Sequence, residues 1–393
     1  MSGHRTTHGF YDVLVWSLKH LSTGYFPFED HLGVKFSPSY HPWRFDMRGK
    51  PIAGDFKCAF SEFRGDWKFL KEAFMLQQYY NTHFICHLCR AHTCIHRNMY
   101  TDVRRDANWR RTLVDAFQWW IMMTAAVLVS PLLYIPGFHI YRVGFDIMHT
   151  LDLGIMQNCA ASTLWELTES PADGGIFEGQ DREQRFEAAF RDYCEWVKRN
   201  RLPDRAKRFK KGQWKKKGQK YPCISQSAMK AATLRSFQYW LFEMCCKEAA
   251  TRTARGVMRA AMYRGFVSAD EVMRKAGKFF RPEEKEEVGK HFEQALLCYH
   301  ALSEESHRQG RYLYRWTPKN HALVHIYLDF FNINPRKTHC YQDEDMVGRM
   351  KRTYNGCHQN TAPLRSLQRY LIMVGLRWTA EILAIRLAAV GAH

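Results

Sequence analysis

This sequence is short of acid: 39 Asp and Glu stand against 58 Lys and Arg, a formal charge of +19 over 393 residues. Such a chain is drawn to polyanions, of which a phosphate backbone is the commonest. A merely basic surface on a soluble protein gives the same count. The twelve cysteines lack the dense, even spacing of a small secreted scaffold, and nothing near Met1 reads as charged region, apolar region and cleavage site. A disulfide framework is therefore not expected, and a reducing compartment is. Long apolar runs are missing too, with one near exception, Trp119 to Ile135, which is slightly short for a bilayer and interrupted by Pro131. It reads as a buried helix entering a loop, with a single membrane span as the lesser alternative. No repeat of fixed period is present. With 46% hydrophobic and 15% aromatic residues, disorder is excluded for most of the chain, and one large core or two smaller ones can form.

Strand-like segments are also scarce. Phe56 to Phe63 (FKCAFSEF) combines aromatics with rough alternation and ends at Gly65-Asp66, predicting a short buried strand with an acid at its tip. Helical periodicity covers Phe10–Leu21, Trp67–Tyr80, Asn108–Val129, Ile155–Glu169, Glu178–Asn200, most of Ser227–Arg308, His321–Phe331, Gln342–Tyr354 and Leu364 onward. Between them, residues 201–220 carry ten Lys or Arg against one Asp. So much Gly and like charge predicts a solvated loop. The fold class is therefore α/β but mainly α, with too few strands for a complete sheet.

Four clusters can carry chemistry. In FICHLCRAHTCIH, Cys86 and Cys89 have the spacing at which two thiolates grip one tetrahedral ion, with His83, His87, His92, Cys94 and His96 nearby. Buried free thiols beside solvated histidines are the plain alternative. In FDIMHTLDLGI, Asp146 and His149 share a helix face and can bind metal or orient each other, although a cap beside a satisfied histidine explains them equally. In TPKNHALVH, His321 and His325 stand at i, i+4, as in helical zinc sites, but without the Glu of a His-Glu-x-x-His protease. In YQDEDMVGRMKRTYN, acids precede Arg349, Lys351 and Arg352 on one helix. This suits Mg²⁺ and DNA contacts, or simply the helix dipole.

In order and content these blocks resemble the catalytic domain of the CACTA (En/Spm-like) DNA transposase family. FYDVLVWSLKHLSTG is similar to the helix preceding that family's second acidic strand, and FSEFRGDWKFLKEAF to the strand ending in its second catalytic Asp, here Asp66. FICHLC, FDIMHTLDLGI and TPKNHALVH resemble its Cys-x-x-Cys, Asp-x-Met-His and Pro-Lys-x-His-x-x-x-His blocks, SAMKAATLRSFQYWLFE its helical insertion, and YQDEDMVGRMKRTYN the helix bearing its Glu, here Glu344.

The resemblance implies a partial RNase-H-like (DDE transposase) core with a large helical insertion. The segments would be 1–110 (core with Cys/His knuckle), 111–310 (insertion with the basic loop 201–220) and 311–393 (helices returning to the core). It implies Mg²⁺ or Mn²⁺ at Asp66 and Glu344, which must then meet, and structural zinc at Cys86 and Cys89 with further ligands among His149, His321 and His325. DNA would lie on Arg208, Lys210, Lys211, Lys215, Lys216, Lys217, Arg349, Lys351 and Arg352. The family's first catalytic Asp lies on a strand ahead of the helix with which this chain begins, so a truncated or inactive copy is expected. The alternative is a non-catalytic, zinc-containing DNA-binding protein derived from a transposase. Nuclear or other intracellular location, DNA as partner, a homo-oligomer as a further option and no membrane association complete the expectations.

Overall fold

A computed structural model describes residues 2–124, 129–203, 205–215, 218–250, 253–330 and 332–390. The chain is mainly helical and forms two compact units, Met1–Thr338 and His339–His393.

In the first unit, α1 (Ser2–Thr23) turns Tyr11, Leu14, Val15 and Leu18 toward the core, the i, i+3, i+4, i+7 stripe of an amphipathic helix. It ends at Gly24, whose φ of +84° only glycine adopts freely. After the short α2 (Pro42–Met47) the chain runs irregularly to β1 (Phe63–Gly65). The strand expected over Phe56–Phe63 thus falls at its C-terminal end. Phe56 is solvent-exposed, and the carbonyl of Phe60, which a ladder would need, accepts instead from the Arg142 guanidinium.

Next, α3 (Trp67–Phe74) is capped by Asp66, whose carboxylate accepts from the Phe69 N–H at 2.6 Å. It buries Trp67, Leu70, Ala73 and Phe74 and stops short of the expected Tyr80 because Met75 adopts a left-handed φ of 56°. The helix expected over Asn108–Val129 is a 3₁₀ turn (Asn108–Thr112) and then α4 (Ala116–Thr124). Residues 125–128 lie outside the described part.

β2 (Val143–Phe145) pairs parallel to β1, Phe63 with Val143, Arg64 with Gly144 and Gly65 with Phe145. This is the only sheet among the described residues. It leads into a π-helical segment (Met148–Ile155) continuous with α5 (Met156–Leu167). The remaining helices of the unit are α6 (Arg182–Arg199), the one-turn α7 (Lys211–Trp214), α8 (Ala231–Ala249), α9 (Ala254–Lys275), α10 (Pro282–Arg308) and α11 (Pro318–Leu328). α8, α9 and α10 pack in sequence, and α11 packs on α10, on β2 and on the π-helical segment. That packing keeps residues 311–338 with the first unit, so the division falls inside the expected segment 311–393.

The basic segment 201–220 is not wholly solvated. Phe209 and Trp214 are each 2% exposed, their rings 4.9 Å apart, and Phe209 lies against Phe190, Tyr193 and Phe237. Two aromatics inside a charge run anchor it, since each buries apolar area that screened surface repulsion does not offset.

The second unit consists of α12 (Tyr341–Asn355) and α13 (Ala362–Val390). No described helix is long and apolar enough to cross a membrane.

Candidate metal centre

The Cys/His knuckle between α3 and α4 is held by backbone bonds that link its ends: Ile85 N–H to Ala91 O, Thr93 N–H to His83 O and His92 N–H to Asn98 O. This folding turns Cys86 and Cys89 inward, 1% and 4% exposed. Opposite them stands α11, started by Pro318 and by the Thr317–Asn320 capping box. It is buried all round from Asn320 to Tyr327, and His321 and His325 present both rings on the face toward the knuckle.

Four donors converge. Cys86 Sγ is 3.3 Å from His325 Nε2, Cys89 Sγ 3.3 Å from His321 Nε2 and 3.6 Å from His325 Nε2, and the two Nε2 atoms are 3.0 Å apart. All four ligand atoms lie within 4.8 Å of one another. A tetrahedral ion bound at ordinary zinc distances would hold S and N about 3.5 Å apart and the two N about 3.4 Å apart. The cluster therefore fits an ion such as zinc with shifts of a few tenths of an ångström. Behind His325, Nδ1 contacts Asp329 Oδ2 at 2.6 Å, and Arg110 holds that carboxylate through two N–H groups at 3.0 and 3.3 Å. A carboxylate behind a ligating histidine fixes its tautomer and raises its basicity. The Leu88 N–H donates to Cys86 Sγ at 3.3 Å.

The electrostatics agree with a site that wants a cation. Burial pushes the Cys86 thiol up, but the hydrogen bond with Cys89 and the His325 ring outweigh it and bring Cys86 well below the usual thiol range. Burial and the Cys86 charge hold Cys89 well above that range. Burial lowers His325, yet Cys86 and Asp329 prevail and raise it to about 9. A bound cation would displace protons and hold both thiolates.

Of the five expected metal ligands, four come together. His149 does not join them: its N–H and Nδ1 both address Asp146 Oδ2, at 2.9 and 2.8 Å, which makes Asp146 the cap of the π-helical segment. That segment meets α11 through Lys319, whose ammonium donates to the carbonyls of His149 (2.7 Å) and Leu153 (3.2 Å). Only glycine fits at Gly154, since a Cβ there would stand 2.4 Å from Lys319 Cδ and 2.9 Å from the His149 carbonyl. The neighbouring His83 and Cys94, exposed, and His92, buried, form a separate group, with the two rings stacked at 5.5 Å and Cys94 Sγ 4.0 Å from His83 Nδ1.

Asp66 belongs to the first unit, as the α3 cap, and Glu344 to the second, exposed in the first turn of α12. Of the expected DNA contacts, Arg208 is paired with Glu187, Lys210 and Lys211 are exposed, and Lys215 sits over the Trp165 ring at 5.5 Å. Lys216 and Lys217 lie outside the described residues. On α12, Arg349 pairs with Asp345 at 2.8 Å, and Lys351 and Arg352 are exposed. Sequence reasoning missed Asp329, Arg110 and Lys319. Asp329 had a signal, the i, i+4 step from His325; Lys319 and Arg110 had none beyond their charge.

Compared with family models, with curated proteins and with solved structures, the chain finds no match.

Proposed function

We propose that this protein is a zinc-stapled DNA-binding protein related to the catalytic domains of CACTA-type transposases. One observation carries the reading: Cys86 and Cys89 meet His321 and His325 across 232 to 239 residues of chain. The resemblance offers those histidines as ligands beside the Cys-x-x-Cys, and the blocks that converge are the ones it names. The excess of 19 positive charges supports a phosphate backbone as partner, and Lys210 and Lys211 stand exposed on a segment anchored by Phe209 and Trp214. Zinc here would be structural, because four protein donors leave no open position for substrate.

The test has two arms. Elemental analysis should find about one zinc per chain, lost in the Cys86→Ser, Cys89→Ser double variant. Duplex binding should weaken steeply with salt. Replacing Lys210, Lys211 and Lys215 by Gln should flatten the slope of log affinity against log salt by up to about 3, roughly 0.9 for each phosphate contact removed. A metal-free protein, or a slope unaltered by those changes, defeats the corresponding arm.

A second reading, metal-dependent strand cleavage, is favoured by one feature of the sheet. β1 and β2 end in register at Gly65 and Phe145, and each is followed at once by an aspartate, Asp66 and Asp146. Neighbouring carboxylates at parallel strand ends are a way of holding a divalent ion near a phosphodiester. Nicking of supercoiled plasmid with Mn²⁺, abolished by Asp66→Ala and by Asp146→Ala, would select this reading; absence of nicking would reject it.

A further inference from the structure

Beyond the metal centre and the basic segment, one concavity combines cations with aromatic rings. It holds about 490 Å³ and lies where the C-terminal turn of α10 meets the following loop and Tyr221. Ligand cavities commonly span about 300–1,000 Å³. His307 and Arg308 line it from α10, Trp316 from the loop and Tyr221 from the end of the basic segment. Beside it Tyr312, 44% exposed, meets Tyr221 edge-on at 5.4 Å and carries Lys220 over its ring at 5.5 Å.

The loop that presents these rings is fixed from within. Tyr314, two residues after Tyr312, is fully buried at a left-handed φ of 51°; its N–H donates to Ser162 Oγ and its hydroxyl to Glu166 Oε2. Arg311 is committed to Glu169 at 2.6 Å and to Glu166 at 3.4 Å. Tyr314 faces in, so Tyr312 faces out on a loop with little freedom left to lose on binding.

Arg308 and Lys220 are exposed and have no carboxylate partner among the described residues, while the indole N–H of Trp316, shielded from solvent, has no acceptor. The one acid lining the cavity, Glu304, faces His300 Nε2 at 3.7 Å. Cations beside one exposed and two half-buried aromatic rings suit a ligand with anionic links and flat rings. A duplex hides its ring faces, whereas an unpaired strand offers phosphate and base face together.

We propose that this concavity binds a single-stranded segment of nucleic acid, a base stacking on Tyr312 while Arg308 and Lys220 take the adjoining phosphates. The proposal rests on the DNA-binding reading and adds to it the form of DNA held at this place.

The test measures binding of fluorescein-labelled oligo-dT, and separately of a labelled duplex, to the full chain and to Tyr312→Ala, Arg308→Gln and Phe117→Ala. Tyr312 and Arg308 are surface residues, and Phe117 is a 71% exposed aromatic on α4 that serves as control. Tyr312→Ala should weaken oligo-dT binding by about fivefold or more, the loss of one base–aromatic stack, and leave the duplex unaffected. Arg308→Gln should weaken oligo-dT binding and lower its salt slope by about 0.7. Phe117→Ala should change neither. If the duplex binds but oligo-dT affinity ignores Tyr312 and Arg308, or falls equally with Phe117→Ala, the subsite is refuted and the DNA-binding reading stands. If neither form of DNA binds, both fall.

Discussion

If the Cys86, Cys89, His321, His325 cluster holds zinc as proposed, stripping it should cost this protein much of its stability, and the size of the effect follows from the chain separation. An ion held by Cys86 and His325 closes a loop of 239 residues. Treated as a cross-link, such a closure removes enough freedom from the unfolded chain to stabilise the fold by about 5 kcal/mol. That compares with a total of about 5–15 kcal/mol for ordinary proteins. A further loss comes from leaving four buried polar side chains with their mutual contacts, the Leu88 N–H and Asp329 in place of a cation. Urea unfolding followed by circular dichroism, with and without a strong zinc chelator, should show a large drop in midpoint that restored zinc reverses. The Cys86→Ser, Cys89→Ser double variant should start from the lower midpoint and ignore the chelator. A wild-type midpoint that does not move when zinc is stripped would refute the staple, and the four side chains would then be a buried polar cluster satisfied by their own hydrogen bonds.

Three further outcomes are expected. Asp329→Ala should weaken zinc binding by about 10–100-fold, as loss of a carboxylate behind a ligating histidine does elsewhere; competition against a chromophoric chelator reads it, and unchanged affinity would mean the α11 backbone alone orients His325. Asp270 is 1% exposed; burial raises its pKa, but Arg336 and Arg235 outweigh that and depress it. Its stabilising contribution is therefore complete above the unfolded value of about 4 and is lost as pH falls through the lower folded value, so Asp270→Asn should cost about 3–5 kcal/mol at neutral pH and reduce the loss of stability in acid; a variant with wild-type acid dependence argues against it. Phe209→Ala should destabilise by about 3–5 kcal/mol in a chemical melt, whereas a solvated segment 201–220 would make that change silent.

Much of the candidate metal centre was legible because its spacings are local. Cys86 with Cys89 and His321 with His325 each announce one half of a tetrahedron, at separations a turn or a helix face imposes. What no local pattern carries is the pairing of the halves. That depends on β1 lying in register with β2, on the knuckle formed between those strands, and on α11 packing against β2 and the π-helical segment. The Asp-x-Met-His block carries a related ambiguity. Asp146 and His149 share a face and address each other, and the widened helical turn with Gly154 leaves room for Lys319. A His and an Asp one turn apart look the same in sequence whether their partner is a metal or each other.

The basic segment shows where counting charges stops being physics. Ten cations in twenty residues suggested that nothing there could pack, yet repulsion between exposed charges is screened over about 10 Å at moderate salt, whereas an aromatic side chain brought out of water contributes about 1.5–3 kcal/mol. Two of them, Phe209 and Trp214, sit inside the run, and both are buried among the rings of α6 and α8. Net charge alone is therefore the wrong test of whether a basic stretch is ordered; the better one is whether apolar side chains interrupt it and find a cavity. By that test the backbone that carries the exposed Lys210 and Lys211 is anchored on both sides, by Phe209 and by Trp214.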